Sequence, residues 1–424
     1  MNPFLEKPFP IDKAFQNWQQ LYPKPYDKRT VDPYTKTRII LANGAEFEAN
    51  WFSHQFSRNT DDNDLRRELA LTRFIEKQQQ IKISLLKPQN ESILEHTIGY
   101  EQLAVDLTAE LAKREKNCYV KKTLDFALLE DFDHLYRYAD LLEMEQGVYA
   151  EKLVGRYTEI MPGRPTISHH RYPKDNVRRR IDSKESDVQT VLSTMIITAA
   201  EQQTMNYYMN VNFASSDLGR RLYEEIALVE EEHVTQYEDL MDSSSTWLEM
   251  LLWHEYNECY LYWSNYTTET DRYIKRLWEE NFAMEVSHLH KAAELLRKYE
   301  GKEWQEVIKN GEFPEPLSLH ENIAYVRSVL GNTVQFTSVG EDYLRVRDLP
   351  ADAEFFRYQG VVNPLPDIVP AHRTIKEYIR RRGKDYRYQV APNPVPELRD
   401  RREDNTSVGR IPDAAGSSDF TCNK

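Results

Sequence analysis

Apolar residues recur every three or four positions through the middle of the chain, which predicts helices near 90–113, 118–145, 185–212, 216–242, 246–268 and 270–299. Short polar breaks (REKNC, FASSD, DSSST) lie within the first two pairs and between the fourth and fifth helices, so these neighbours run antiparallel. Between the second and third helices, GRYTEIMPGRPTISHHRYPKDNVRRR is far longer than a bundle connection needs and reads as a crossover or a lid. The flanks differ in texture. KTRIILANGAEFEANWF, with Asn43-Gly44 between strand-like runs, predicts a β-hairpin, and DDNDLRRELALTRFIEKQQQ predicts a helix opened by aspartates. Past residue 300, SLHENIAYVRSVLG predicts a helix, NTVQFTSVGEDYLRVRDL a short hairpin, and the last two dozen residues a partly disordered tail. The expected organisation is an α+β extension over 1–89, a helical bundle with an extra hairpin over 90–300, and a C-terminal extension over 301–424.

One apolar face carries an anomaly. In EEIALVEEEHVTQYEDLMD the helical stripe runs Tyr223, Ile226, Ala227, Glu230, His233, Val234, Tyr237, which sets an acid and a histidine among core positions. A buried carboxylate is costly unless it is paired or bound to a metal. The same feature recurs in the second helix as Asp131-x-x-His134 and in the sixth as Glu285-x-x-His288. Each partner helix places a glutamate on its own stripe: Glu101, Glu201 and Glu255, which stand 30, 29 and 30 residues before the corresponding acid. An acid three residues before a histidine is weak on its own, since roughly two matches are expected by chance in this composition. The shared offset and the shared core face make it specific, because a spacing of three puts both side chains on one side of a helix.

A glutamate from each of two helices with an acid-x-x-His from each of two others resembles the ligand set of the ferritin-like di-metal-carboxylate superfamily. The resemblance covers about 90–242. It implies a mainly α protein: a ferritin-like four-helix bundle with an extra helical hairpin, flanked by small α+β extensions. Carried over residue by residue, Glu101, Asp131 and His134 form one half-site, and Glu201, Glu230 and His233 the other. Asp131 departs from the usual glutamate, and Glu130 beside it is an alternative ligand, as are Glu255, Glu285 and His288 of the third pair. Chain direction favours joining the first pair with the second; joining the first with the third is the rival. The implied cofactor is two Fe ions, with two Mn ions or a mixed Mn/Fe pair as the alternative. Four carboxylates against two divalent ions leave such a centre near neutral.

Tyr138 and Tyr237 follow a histidine by four residues, and Tyr208 and Tyr262 follow a glutamate by seven. Tyr208, Tyr138 and Tyr237 are the candidate catalytic tyrosines, weighed against a plain core role. His169 and His170 in the crossover read as a surface loop, with capping the site or adding a ligand as the alternative, and RYPKDNVRRR as a solvated basic face.

Composition narrows the function classes. With 55 Lys+Arg against 69 Asp+Glu the net charge is −14, which argues against a nucleic-acid or anionic-membrane binder. Three cysteines without a CxxC pair disfavour zinc ribbons, disulfide scaffolds and a rubrerythrin-type iron site, and fit a reducing, cytoplasmic setting. Neither GxGxxG nor GxxxxGK[ST] occurs. The expectation is a di-iron oxidase or oxygenase acting on O2 or peroxide and a small-molecule substrate. A manganese catalase-like enzyme comes second, and a non-catalytic helical scaffold or partner-binding protein is the alternative of another class. Neither nucleic acid nor membrane is an expected partner, and a homodimer is allowed.

Overall fold

The computed structural model describes residues 1–389 and 391–399, so the expected disordered tail lies outside the described residues. Along the chain the α-helices are α1 (Pro33–Arg58), α2 (Asn63–Ser84), α3 (Ile93–Arg114), α4 (Cys118–Gln146), α5 (Glu151–Val154), α6 (Thr166–His169), α7 (Val188–Val211), α8 (Asp217–Glu238), α9 (Trp247–Thr268), α10 (Arg272–Glu300), α11 (Ile323–Thr333), α12 (Glu354–Val362), α13 (Pro370–Arg382) and α14 (Tyr386–Gln389). Among the described residues the only sheet is the antiparallel pair β1 (Phe336–Val339) and β2 (Asp342–Arg345), with Phe336 opposite Arg345 and Val339 opposite Asp342. Gly340, at a φ of 56°, makes the turn between them. The protein is mainly helical, and the six long central helices and the small C-terminal hairpin fall where the polarity pattern puts them.

The chain divides into two compact units, each assembled from separated segments. The first comprises residues 1–91, 180–203 and 241–319, and the second 92–179, 204–240 and 320–424. Helix α7 runs through the division as one continuous helix.

In the first unit, α9 and α10 form an antiparallel hairpin, with α1 packed on α9 and α2 on α10. The predicted N-terminal β-hairpin is not formed: Asn43-Gly44 lies in the middle of α1. The physical reason is packing. A Cβ at position 44 would lie 2.5 Å from Oε1 of Gln203 and 3.1 Å from the carbonyl oxygen of Ala199, so the glycine serves close approach to α7 rather than a turn. Because α1 is buried on several sides, including Thr37, Ile39, Ile40, Leu41, Ala42 and Glu46, its apolar residues form a run and not a helical stripe. Such a run is hard to tell from strand. Tyr26, Ile39, Ile83, Leu86, Tyr262, Ile274 and Trp278 make the main apolar cluster of this unit.

In the second unit, α3 and α4 form the hairpin and α8 packs on α4. Caps set these helices: Ser92 and Glu95 close a capping box on α3, Asn117 caps α4, and Ser216 caps α8. Helix α4 is buried for nearly all its length, with α11 and α13 packed against it as well. The long connection after α4 carries α5 and α6. At Gly163 it lies directly on α4, where an added Cβ would be 2.7 Å from the Leu129 carbonyl.

Candidate metal centre

The residues marked out by spacing lie on facing helices of the second unit. Glu101 comes from α3, Asp131 and His134 from α4, and Glu230 and His233 from α8, and none is more than 0 % exposed. Glu230 stands between the two histidines: Nδ1 of His134 is 3.1 Å from its Oε1, and Nδ1 of His233 is 2.9 Å from its Oε2. Asp131 Oδ1 is 3.3 Å from the same His233 nitrogen. The ligand-type atoms fall into two overlapping groups, Glu101, His134 and Glu230 in one, and Asp131, Glu230 and His233 in the other. Within each group they lie no more than 4.8 Å apart. Donors that each sit about 2 Å from a shared metal ion are spaced in this way. Glu230 belongs to both groups.

Several of these atoms lack a hydrogen bond. Both carboxylate oxygens of Asp131 and Nε2 of His134 are buried without a hydrogen bond. A folded chain does not normally bury such groups unsatisfied, and a metal ion is one thing that satisfies them. Burial and the neighbouring Glu230 push Asp131 above the usual carboxylate range, against the pull of His233 and His134. For Glu230 burial pulls the same way, but hydrogen bonds from His134 and His233 outweigh it and hold the acid well below its ordinary value.

An outer layer fixes the histidines. Glu130, the alternative ligand, turns away from the carboxylate group: its Oε2 is 2.7 Å from Nε2 of His233, and its Oε1 pairs closely with Arg171 and lies 3.6 Å from Nε of Arg164. Burial would raise this acid, yet Arg171, His233 and Arg164 hold it at about 2. With its Nε2 held by Glu130, His233 turns Nδ1 toward Glu230 and Asp131, the arrangement by which outer carboxylates orient metal-binding imidazoles.

Two readings of the crossover are corrected here. His169 and His170 are buried rather than on a surface loop, because α6 packs inward: Nε2–H of His169 donates to the Arg164 carbonyl at 2.8 Å, and Nε2 of His170 meets Glu225 at 3.1 Å. Neither is aligned as a ligand. The basic run is solvated only in part, since Arg171 and Arg178 are buried while Arg179 and Arg180 are not. Sequence reasoning missed Arg164 and Arg171 because nothing in a loop's composition shows which arginine will meet a buried acid.

The tyrosines divide. The Tyr208 hydroxyl donates to Oε1 of Glu101 in a close contact. Tyr138 has a buried hydroxyl with no partner, and its ring centroid is 5.2 Å from that of Tyr208. Tyr237 stacks obliquely near His233, with centroids 6.3 Å apart. Burial, with nearby Glu101, keeps the Tyr208 and Tyr138 phenols protonated well above their ordinary range. Glu201 is buried on α7, two turns ahead of Tyr208 on the same helical face.

The third pair does not join this group. Glu255, Glu285 and His288 lie together in the first unit, where they meet Glu76 of α2. No family model, curated protein or solved structure matches the chain. Among the described residues no helix is long and apolar enough to cross a membrane. The protein is thus helical, with buried carboxylate–histidine clusters suited to a metal.

Proposed function

We propose that the second-unit centre holds two iron ions in a ferritin-like arrangement and that the protein is a redox enzyme using O2 or a peroxide on a small-molecule substrate. The observation that carries this reading is the sharing of Glu230 between two carboxylate–histidine groups that also contain unsatisfied buried donors. Glu101, Asp131, His134, Glu230 and His233 would hold the ions, with Glu230 common to both groups of donors. The chemistry that bound iron would supply here is electron transfer between a substrate and the oxidant.

The chain's own residues do the rest. Glu130, neutralised by Arg171, accepts the Nε2 proton of His233 and so keeps Nδ1 as a lone-pair donor. Tyr208 fixes the orientation of Glu101 through its hydroxyl. Tyr138, with a free buried hydroxyl close to Tyr208, is the group positioned to give up a hydrogen atom. Gly163 and Arg164 seat the crossover on α4 and exclude water from that side. Manganese suits the same imidazole and carboxylate donors and is the alternative metal.

Elemental analysis of protein purified without added metal or chelator tests the proposal. The second-unit centre is expected to bring about two equivalents of Fe or Mn per chain, and Glu230→Gln to lose them with the fold intact by circular dichroism. Consumption of O2 or peroxide by the loaded protein is expected to fall with that loss. Wild-type protein that stays metal-free after anaerobic Fe(II) or Mn(II) loading would sink the reading and leave a helical scaffold.

A further inference from the structure

The first unit repeats the construction of the second with one ligand changed. Glu46 of α1 precedes Glu76 of α2 by 30 residues, as Glu101 precedes Asp131, and three residues after Glu76 stands Gln79 where a histidine would continue the pattern. Opposite them, α9 supplies Glu255 and Glu258, and α10 supplies Glu285 and His288. The correspondence extends to contacts. Nε2 of Gln79 donates to Oε1 of Glu285 at 2.6 Å, as His134 meets Oε1 of Glu230, and Nδ1 of His288 lies 3.2 Å from Oε2 of Glu285, as His233 lies from Glu230. The Tyr262 hydroxyl donates to Oε1 of Glu46, as Tyr208 does to Glu101.

This is more than an acidic cluster. Atoms of Glu76, Glu255, Glu285 and His288 converge within 4.8 Å of one another, and every one of these residues is at least 98 % buried. Nε2 of His288, Oε1 of Gln79, Oε2 of Glu255, Oε2 of Glu46 and both oxygens of Glu258 are buried without a hydrogen bond. Five carboxylates around one histidine are costly in an apolar interior, and a cation that joins them offsets that cost.

We propose that the first unit holds a second metal centre, formed by Glu46, Glu76, Glu255, Glu258, Glu285 and His288, and that it takes hard, oxygen-preferring divalent cations, Mn(II) foremost. It extends beyond the function proposed for the second unit and does not depend on it. The preference follows from the donor set: with Gln79 in the histidine's place and Glu258 added, the site offers oxygen almost throughout, which suits Mn(II) over Zn(II) relative to the two-histidine centre.

The test is metal retention by the full chain after loading with Mn(II) and removal of the excess, read by elemental analysis. Glu285→Gln is expected to lose at least one equivalent that Glu230→Gln retains, each variant being checked for native helix content. If Glu285→Gln keeps all the wild-type metal, the second centre is overturned, and Glu230→Gln alone then judges the second-unit proposal. Gln79→His supplies an independent arm that removes no ligand. It is expected to shift Mn(II)/Zn(II) competition toward Zn(II) by at least tenfold in the Glu230→Gln background, and unchanged competition would overturn the assignment of residue 79 to the centre.

Discussion

The two units place the same three-residue acid-to-histidine step on facing helices but support it differently. In the second unit Nε2 of His233 rests on Glu130, which is itself held by Arg171 and Arg164. At the matching place in the first unit, one residue before Glu76, stands Ile75, packed with Ile11, Ala14 and Met284, and Nε2 of His288 has no partner. One histidine is oriented by a charged outer layer and the other only by its ligand-side contacts and by packing. An outer carboxylate raises the basicity of an imidazole and fixes its ring. The second-unit centre is therefore the more rigidly prepared of the two, and the first-unit centre depends more on the ion to organise it.

The largest break in this comparison comes from Arg171→Met. It strips the buried Glu130 of its close cation and leaves it only the more distant Arg164 and the His233 imidazole, a loss of about 3–5 kcal/mol. Urea unfolding of the metal-free protein measures it, and a loss below 1 kcal/mol would mean that Glu130 is not held as a charge. Weakened metal retention is expected in the second-unit centre alone, because no arginine meets the first-unit cluster at the equivalent position among the described residues.

A smaller effect sharpens the likeness instead. Tyr208 and Tyr262 each donate to the glutamate of the first helix in their own unit. Removing such an outer hydrogen bond costs about 10–100-fold in metal affinity. Tyr208→Phe and Tyr262→Phe are expected to weaken retention by that amount, each in its own centre, as read by chelator competition. A loss that appears in both centres from one substitution would show that the tyrosines act on stability rather than on their glutamates.

Much of this was legible in the sequence, and the gaps have physical causes. An offset of 29 or 30 residues between a core glutamate and an acid three before a histidine located Glu101, Asp131, His134, Glu230 and His233, because helical period and metal geometry both act locally. The fourth copy, Glu46 with Glu76, was hidden twice. Gln79 breaks the histidine motif, and α1 is buried on too many sides to show a helical stripe, so Asn43-Gly44 passed for a turn. The partner of the third pair could not be read at all, since it lies some 180 residues away in α1 and α2. Gly44→Ala probes the second cause. With 3.1 Å to a backbone carbonyl and 2.5 Å to a side-chain oxygen, the added methyl forces α7 or Gln203 to shift. Overpacking of this kind costs about 1–2 kcal/mol by thermal or urea unfolding. A stabilised variant, as helix propensity alone would give, would remove close approach as the reason for the glycine.

The smallest expected effect lies outside both centres and separates two kinds of acid in the first unit. The cluster acids Glu46, Glu255 and Glu258 are pushed up by burial and by the neighbouring Glu285 and Glu76. Asp242 is instead held well below its ordinary value: burial raises it, but hydrogen bonds from Ser244 and Ser183 dominate. Its Oδ2 accepts from the Ser183 amide at 2.9 Å and hydroxyl at 2.7 Å, and its Oδ1 from the Ser244 amide at 3.0 Å. A carboxylate with a depressed folded-state pKa contributes stability that is present above its unfolded value, about 3.9, and is lost as the pH falls through the folded one. Asp242→Ala is therefore expected to cost about 1 kcal/mol at pH 7, where its hydrogen bonds are intact, and progressively less below pH 4. Urea midpoints of the metal-free protein across that range measure the convergence of variant and wild type. If the gap widens on acidification, Asp242 is not held as an anion by the two serines, and its environment is closer to that of the cluster acids than its hydrogen bonds indicate.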